Sequence, residues 1–203
     1  MRVKMITNIE DALSRSIEIV RSTPDIDDSL KMEGDISMLK TLVYNKANLF
    51  MENIIVDFYI SQISVISILD IIGDKIVYHV EDGYGGSNIE EATYKIPKEP
   101  KRDPLAPSIS PSAESVIRKS IKAYRSIYKQ CKDRKYAESV LPLSIYKSIY
   151  VSSNLKRWKD LITIKIYNPK SNYKISEEVK HMYICIYKIL KNSFYTFFYD
   201  MDI

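Results

Sequence analysis

A short polar segment follows a long apolar stretch of this chain. Residues 69–79 read LDIIGDKIVYH, so Gly73, Asp74 and Lys75 stand where the apolar run ends. Asp70, Gly73, Asp74 and Lys75 follow a long apolar run and precede a Gly-rich turn, which is the arrangement that an active-site loop would have. A purely structural interpretation is also open: Gly73 would end a helix, and Asp74 and Lys75 would form a solvated turn.

Metal-binding residues are few. The chain has two cysteines and two histidines, and Cys131 and Cys185 lie far apart with no CxxC spacing. A structural zinc site needs four ligands. His181 and Cys185 are four residues apart and could share a helix face, but such a pair lacks the other ligands. We therefore predict no metal site, and we expect both cysteines to be reduced core residues of an intracellular protein.

The composition is typical of a globular protein with a mildly basic surface. The chain has 203 residues and a formal net charge of +4, with lysine and arginine spread along its length. The basic segments 98–104 and 154–160 could bind nucleic acid, but basic segments are usually solvated surface, so this alternative ranks last. The sequence contains neither an apolar run of about 18 residues nor a signal-peptide core. We expect a soluble, cytoplasmic protein without a membrane partner.

Hydrophobic periodicity predicts an α+β domain. Asn8, Ser110, Asn154 and Ser176 are expected to cap helices, and Gly73 is expected to end one. The predicted strands are 2–7, 53–62 and 141–153. The predicted helices are 9–22, 36–50, 63–72 and 112–131, followed by one after Asn154 and one after Ser176. The apolar stripe of the helix 112–131 is expected to run from Val116 to Cys131.

Two other segments are informative about the organisation of the chain. Residues 96–111 hold five of the eight prolines, and we interpret them as a loop between two halves of a single domain that spans 1–203. Segments 23–35 and 81–88 are also predicted to be loops. Near the end of the chain, Phe194, Phe197 and Phe198 are expected to cover either the core or a neighbouring subunit.

Two segments in the same order resemble the flavin-dependent thymidylate synthases, the ThyX family. The family pattern in the second segment runs Ala-Arg, Leu-Pro, a strand, Asn-x-Arg and a helix that ends in Arg. Segment 136–165 supplies Ala137, Leu141, Pro142, Tyr146, Asn154 and Leu161 without a gap. The family pattern in the first segment leads through Glu-His, a strand and Ile-Ser to Arg-His-Arg. Segment 51–75 supplies Glu52, Phe58, Ile63 and Ser64.

The resemblance implies a ThyX-like fold, with an antiparallel or mixed sheet flanked by helices, and a homotetramer whose active sites lie between subunits. It implies FAD as cofactor and dUMP or a related pyrimidine nucleotide as substrate, and it requires no cysteine nucleophile. The flavin-binding positions would be Glu52, Ser64, Lys75 and Glu81. The nucleotide-binding positions would be Ser153, Asn154, Lys156, Lys165 and Lys180. No residue is assigned a catalytic role.

The chain departs from the family at its arginines. Gly73, Asp74 and Lys75 stand in place of Arg-His-Arg, and Glu138 stands where an arginine precedes Leu-Pro. Lysines replace three later arginines, which keeps the charge but loses the planar fork that clamps a phosphate. A carboxylate about 4 Å from a phosphate repels it by about 4 kcal/mol at an effective dielectric of 20. These departures put FAD binding in doubt.

Two functions are therefore open. In the first, the chain is a binding or scaffold protein that keeps the fold and the assembly without canonical thymidylate synthesis. In the second, it is a divergent flavin-dependent synthase, with Lys156, Lys165 and Lys180 holding phosphate and Asn154 orienting the base or ribose. The missing arginines and the acidic Glu138 favour the first.

Overall fold

The computed structural model describes most of the chain, namely residues 1–22, 50–74, 76–80, 94, 110–167 and 175–201. Several predicted segments lie outside these ranges: the loops 23–35 and 81–88, residues 36–49 of the predicted helix 36–50, and most of the proline-rich segment 96–111. Lys75 and Glu81 also lie outside them.

Helices and strands are mixed along the chain. In chain order they are β1 (Arg2–Met5), α1 (Ile9–Ser22), β2 (Ile55–Ser64), α2 (Val65–Ile72), β3 (Val77–Val80), α3 (Ser110–Cys131), α4 (Arg134–Glu138), β4 (Tyr146–Asn154), α5 (Leu155–Ile162), a π-helical turn (Thr163–Tyr167), α6 (Glu177–Ser193) and α7 (Tyr195–Phe198). Residues 50–53 are also helical. The predicted α+β class is confirmed. Among the described residues, no helix is long and apolar enough to cross a membrane.

The strands form an antiparallel sheet in the order β1-β2-β4-β3. The predicted strands are confirmed with shifted ends: β4 starts at Tyr146 because residues 143–144 form a turn. The short strand β3 was not predicted, since Val77–His79 are exposed and give no alternating pattern.

Strand β2 passes directly into α2 without a loop. A bulge interrupts its pairing with β4 between Ile60 and Ile63, where Gln62 has a φ of 58°. The extra residue bends the strand and changes the direction in which the following side chains point. Ser64 is both the last residue of β2 and the N-cap of α2. The predicted helix 63–72 therefore begins two residues later than expected.

The predicted helix caps in the described residues are confirmed at three of the four positions. Asn8 Oδ1 accepts from Glu10 N at 3.1 Å, and Asn154 Oδ1 accepts from Arg157 N at 2.7 Å. Ser176 Oγ accepts from Val179 N at 3.3 Å. Each bond satisfies a backbone N–H that would otherwise lack a partner in the first turn of a helix. The fourth residue, Ser110, is the first residue of α3 rather than a cap outside it.

The main core lies on one face of the sheet, where α1, α2, α5, α6 and α7 pack against it. Trp158 is fully buried there, and its indole N–H donates to Val56 O at 3.0 Å. The three phenylalanines at the end of the chain, Phe194, Phe197 and Phe198, are buried in the same core. Of the two places predicted for them, they occupy the core of their own chain.

A smaller cluster joins α3 and α4 to the start of β4. It contains Ile117, Ile121, Tyr124, Ala137 and Ile145. The predicted stripe of α3 is wrong at both ends, because Val116 is 61% exposed and Cys131 is also exposed. The prediction of a core cysteine therefore fails for Cys131, and Cys185 is only half-buried.

Candidate functional site

The segment after α2 does not form a solvated turn. Gly73 does end the helix, but with a right-handed φ of −73°, so no left-handed conformation requires glycine there. The backbone N–H of Asp74 donates to Ile71 O at 3.0 Å. Its side chain turns inward, and Asp74 is only 5% exposed. The solvated-turn interpretation of Asp74 is therefore wrong.

Both carboxylate oxygens of Asp74 have partners. Lys165 Nζ lies 2.7 Å from Oδ1, and the hydroxyl of Tyr183 donates to Oδ2 at 2.6 Å. The side chains of Asp74 and Lys165 are 7% and 3% exposed. Burial is the main cause that raises the pKa of Tyr183, and the negative charge of Asp74 raises it further. Tyr183 is therefore held as a neutral hydrogen-bond donor.

A second basic residue holds the backbone at the same place. Arg157 donates to Asp74 O from Nε at 3.0 Å and from Nη2 at 2.8 Å. The planar fork of the guanidinium suits two bonds to one oxygen. This arginine lies in the first turn of α5, and its own backbone N–H donates to the N-cap residue Asn154. We refer to Asp74, Lys165, Tyr183 and Arg157 as the Asp74 cluster.

Four elements bring the Asp74 cluster together: the end of α2, α5, the π-helical turn and α6. The apolar face of α5 anchors that helix through Trp158, Leu161 and Ile162. The π-helical turn then widens the helix, and Lys165 lies in that turn. π-helical turns are often found at functional sites, because the extra residue changes which side chains face inward. Here Lys165 is already paired with the carboxylate of Asp74, so this lysine is not available to a bound anion.

A second buried polar group lies at the start of α2. The carboxylate oxygen Oε2 of Glu178 accepts from Ser64 Oγ at 2.5 Å and from Ser67 Oγ at 2.7 Å. The hydroxyls of Ser67 and Ser176 are 3.3 Å apart. Burial and, secondarily, the charge of Glu178 raise the pKa of nearby Tyr146. Ser64, a predicted flavin-binding residue, is thus fully buried and bound to a residue of its own chain.

The structure brings two other predicted site residues into contact. Lys156 Nζ lies 2.8 Å from Glu52 Oε1. This hydrogen bond and the adjacent charge raise the pKa of Lys156. Both side chains are substantially solvated, so the pair contributes little to stability and could be displaced by a ligand.

Glu138 also has a charged neighbour. Lys147 Nζ lies 3.7 Å from Glu138 Oε2. Both residues line a cavity of about 310 Å³, and its other walls are apolar side chains of α2, β3 and residues 141–145. Because Lys147 offsets the charge of Glu138, the repulsion of a phosphate there is weaker than the sequence alone suggested.

The remaining predicted residues lie on three different elements. The side-chain oxygen of Asn154 accepts the hydrogen bond that caps α5, and Ser153 is half-buried beside it in β4. Lys180 is exposed in the first turn of α6. Glu52 lines a separate cavity of about 550 Å³ between α1 and β2, together with Asp11, Arg15 and others. The predicted flavin and nucleotide residues therefore do not share one cavity in the described part of a single chain.

His181 and Cys185 share a face of α6, as their spacing indicated, with the sulfur 3.7 Å from Nε2. Within the described ranges, no group of three or more His, Cys, Asp or Glu side chains could hold a metal ion. Tyr183 and Ser67 were not predicted from the sequence, because each forms its contact with a residue more than 100 positions away. Arg157 was visible only as one of several basic residues in 154–160.

Comparison with known proteins adds no further assignment to this geometry. No family model matches the sequence, and no curated protein matches it. The ThyX resemblance therefore rests on the quoted residues of 51–75 and 136–165. The contacts of Asp74, Lys165 and Glu138 are properties of this chain, whatever its relatives are.

Proposed function

We propose that this chain is a ThyX-like protein that has given up canonical thymidylate synthesis and acts as a binding or scaffold protein. The observation that carries the proposal is the buried pair of Asp74 and Lys165. In the register of the resemblance, Lys165 replaces an arginine, and Asp74 falls in the Arg-His-Arg motif. The two residues that should meet phosphate instead neutralise each other.

The energetic consequence is unfavourable for nucleotide binding. If Lys165 moved to a phosphate, Asp74 would lose its ion pair while still buried, and breaking such a pair costs about 3–5 kcal/mol. The hydroxyl of Tyr183 would be the remaining partner of that carboxylate. Asp74 would also repel the incoming phosphate. A lysine held in this way supports packing rather than ligand binding.

The proposed assembly is a homotetramer, as the resemblance implies. A scaffold needs the fold and the subunit contacts but not the chemistry. The extensive main core supports a stable fold without a bound cofactor. In this proposal, flavin is not a required component of the assembly.

One observation favours the alternative, a divergent flavin-dependent synthase acting on dUMP or a related nucleotide. Lys156 pairs with Glu52 at the surface, and Lys180 is exposed. Surface ion pairs are worth only about 0–1 kcal/mol, so a phosphate could displace Glu52 at little cost. Two of the three lysines therefore remain available to an anion.

The visible absorption spectrum of the purified protein tests the proposal. The protein is incubated with FAD, desalted and examined for the flavin band, and its mass in solution is measured by sedimentation. A colourless tetramer supports the proposal. Retained flavin, followed by dUMP-dependent NADPH oxidation, would contradict the proposal and support the synthase alternative. A colourless monomer would contradict the proposed homotetrameric scaffold.

A matched variant makes the test sharper. Glu138→Arg restores the arginine that the resemblance expects before Leu141-Pro142, whereas Lys122→Arg adds no charge on the exposed side of α3. Flavin retained only by Glu138→Arg would support the view that substitution at this position disabled a flavin site. Flavin retained equally by the wild type and both variants would contradict that view.

A further inference from the structure

The net charge of this protein is concentrated on one helix. Helix α3 contains five basic residues and one acidic residue, which gives it a charge of +4, and the formal net charge of the whole chain is also +4. The acidic residue, Glu114, accepts a hydrogen bond from Arg118 Nε at 2.9 Å. Lysine and arginine are spread along the sequence, but the acidic residues that balance them elsewhere are nearly absent from α3. The rest of the chain is therefore neutral overall.

Three lysines lie along one side of α3. Lys119, Lys122 and Lys129 are separated by three and seven residues, the spacing that places side chains on the same face of a helix. Ser115 and Ser126 fall on the same face, and all five residues are exposed. We refer to these five residues as the lysine stripe. At 1.5 Å per residue, the lysine stripe is about 21 Å long.

The opposite side of α3 is used for packing. Ile117, Ile121 and Tyr124 are buried in the smaller cluster that joins α3 to α4 and the start of β4. With 3.6 residues per turn, these three positions lie across the helix from the lysine stripe. Their packing fixes the orientation of α3, so the lysine stripe faces the solvent.

The ammonium groups of the lysine stripe are not used within the protein. In the predicted basic segment 154–160, Lys156 pairs with Glu52, and Lys159 pairs with Asp200. In the described part of the chain, no ion pair or hydrogen bond involves the three lysines of the lysine stripe. Segment 154–160 is therefore a weaker candidate for an anion-binding surface than the lysine stripe.

A groove of about 370 Å³ lies along the first half of the lysine stripe. It is lined by Pro111, Glu114, Ser115, Arg118, Lys119 and Lys122. Arg118 offsets the charge of the one carboxylate in the groove, that of Glu114. Hydroxyl and ammonium donors, which are common contacts of phosphate oxygens, thus line a concave surface.

We propose that the lysine stripe binds double-stranded nucleic acid through its phosphates, without reading the sequence. A duplex carries one negative charge per about 1.7 Å of its axis, so a stripe of this length faces several phosphates. The lysine stripe contains no aromatic side chain, so base stacking is not part of the binding. It lies on α3, outside the segments 51–75 and 136–165 that carry the ThyX resemblance, and it does not depend on the proposed function.

The composition of this face favours nucleic acid over other anionic partners. The centre of a protein–protein interface is rich in apolar and aromatic side chains and poor in lysine, whereas Val116 is the large apolar side chain exposed on α3. A helix that lies on a membrane buries its apolar face in lipid, but the apolar face of α3 is packed inside the protein. Nucleic acid can be bound by charge alone.

The test is fluorescence anisotropy of a labelled DNA duplex and an RNA duplex of the same sequence, which distinguishes the two sources of the phosphates. At physiological salt we expect a dissociation constant of about 1–100 μM, the range of non-specific binding. With three phosphate contacts, a rise in salt from about 50 to about 200 mM should weaken binding to DNA about fortyfold. A second DNA duplex of unrelated sequence should bind equally well, because phosphate contacts carry no sequence information.

Variants locate the site. Lys122→Gln removes one phosphate contact, so the same rise in salt should weaken binding only about twelvefold. Lys122→Arg keeps the charge and should keep both the affinity and the salt dependence. The matched control is Lys188→Gln, which makes the same charge change at an exposed position of α6 and should keep the wild-type salt dependence. Glutamine is a good helix former, so both helices should remain intact, and thermal denaturation checks this.

Four results would overturn the proposal. The first is absence of binding to either duplex at about 50 mM salt. The second is an equal loss of affinity in Lys122→Gln and Lys188→Gln, which would mean that no particular surface is used. The third is a strong preference for one of the two DNA sequences. The fourth is binding to vesicles of phosphatidylserine and phosphatidylcholine but not to duplexes, which would assign the lysine stripe to a membrane surface.

Discussion

The carboxylate of Asp74 lies 2.7 Å from the ammonium of Lys165, and both side chains are more than nine-tenths buried. The pair joins the end of α2 to the π-helical turn that follows α5. Tyr183 brings α6 to the same carboxylate. One aspartate thus holds together three elements that pack on the same face of the sheet.

The pair should be strongly coupled. Lys165→Met leaves Asp74 buried without its cation, and Asp74→Asn leaves Lys165 buried without its anion, so each variant should lose about 3–5 kcal/mol of unfolding free energy. The double variant Asp74→Asn/Lys165→Met should lose less than the sum of the two. Urea denaturation measures all three against the wild type.

Lys180→Met is the control for this cycle, because Lys180 is exposed on α6. Its effect should stay within about 0.5 kcal/mol. Additive losses in the double variant would contradict a direct interaction between Asp74 and Lys165.

Glu178 should stabilise the junction between β2 and α2. Glu178→Ala removes the acceptor of two buried hydroxyls, those of Ser64 and Ser67. Hydrogen bonds to a charged group are worth about 1.5–3 kcal/mol each, whereas the contacts that these hydroxyls keep with each other and with Ser176 are between neutral groups. We expect thermal denaturation to show a loss of about 3 kcal/mol of unfolding free energy.

The control is Glu177→Ala, at an exposed position of the same helix turn, which should change the unfolding free energy by less than about 0.5 kcal/mol. Equal effects of the two variants would argue against this role.

Tyr183 should make the protein less stable in alkaline solution. Its pKa in the folded state is raised, by burial first and by Asp74 second. Above about pH 10, the unfolded chain releases this proton while the folded chain keeps it. Stability should therefore be unaffected by this group below about pH 10 and should fall by about 1.4 kcal/mol per pH unit above it.

Denaturation at several pH values between about 9 and 11 measures this slope. Tyr183→Phe should be less stable at neutral pH, because Asp74 loses a donor, but its stability should fall less steeply above about pH 10. Tyr195→Phe, changed at an exposed site, should keep the wild-type slope. An unchanged slope in Tyr183→Phe would contradict the assignment.

Gly73→Ala should stabilise the protein. Gly73 has a right-handed φ of −73°, and an added Cβ would meet no atom within 4 Å. Alanine restricts the unfolded chain at such a site without straining the folded one, which is worth about 0.4–1 kcal/mol. A calorimetric scan should show a higher melting temperature. A lower one would mean that this position needs the freedom of glycine.

Local signals predicted most of the described elements. Helices α1 and α5 follow their apolar periodicity, and Asn8, Asn154 and Ser176 cap helices as expected. Strand β3 gave no such signal, because three of its four residues are exposed and it is recognised only by its pairing with β4. The exposed end of α3 at Cys131 shows the same limit, since the periodicity of a helix does not say how far its partner extends.

The sequence by itself determined where chain segments become helical or extended, because caps and periodicity act between residues a few positions apart. Only the tertiary structure decided that Asp74 is buried against Lys165 rather than solvated, and that the rings of Tyr59 and Tyr150 lie side by side on neighbouring strands. Charge and stacking interactions depend on distance through space. That distance is set by how α2, the π-helical turn and the strands pack together, which no local pattern in this chain records.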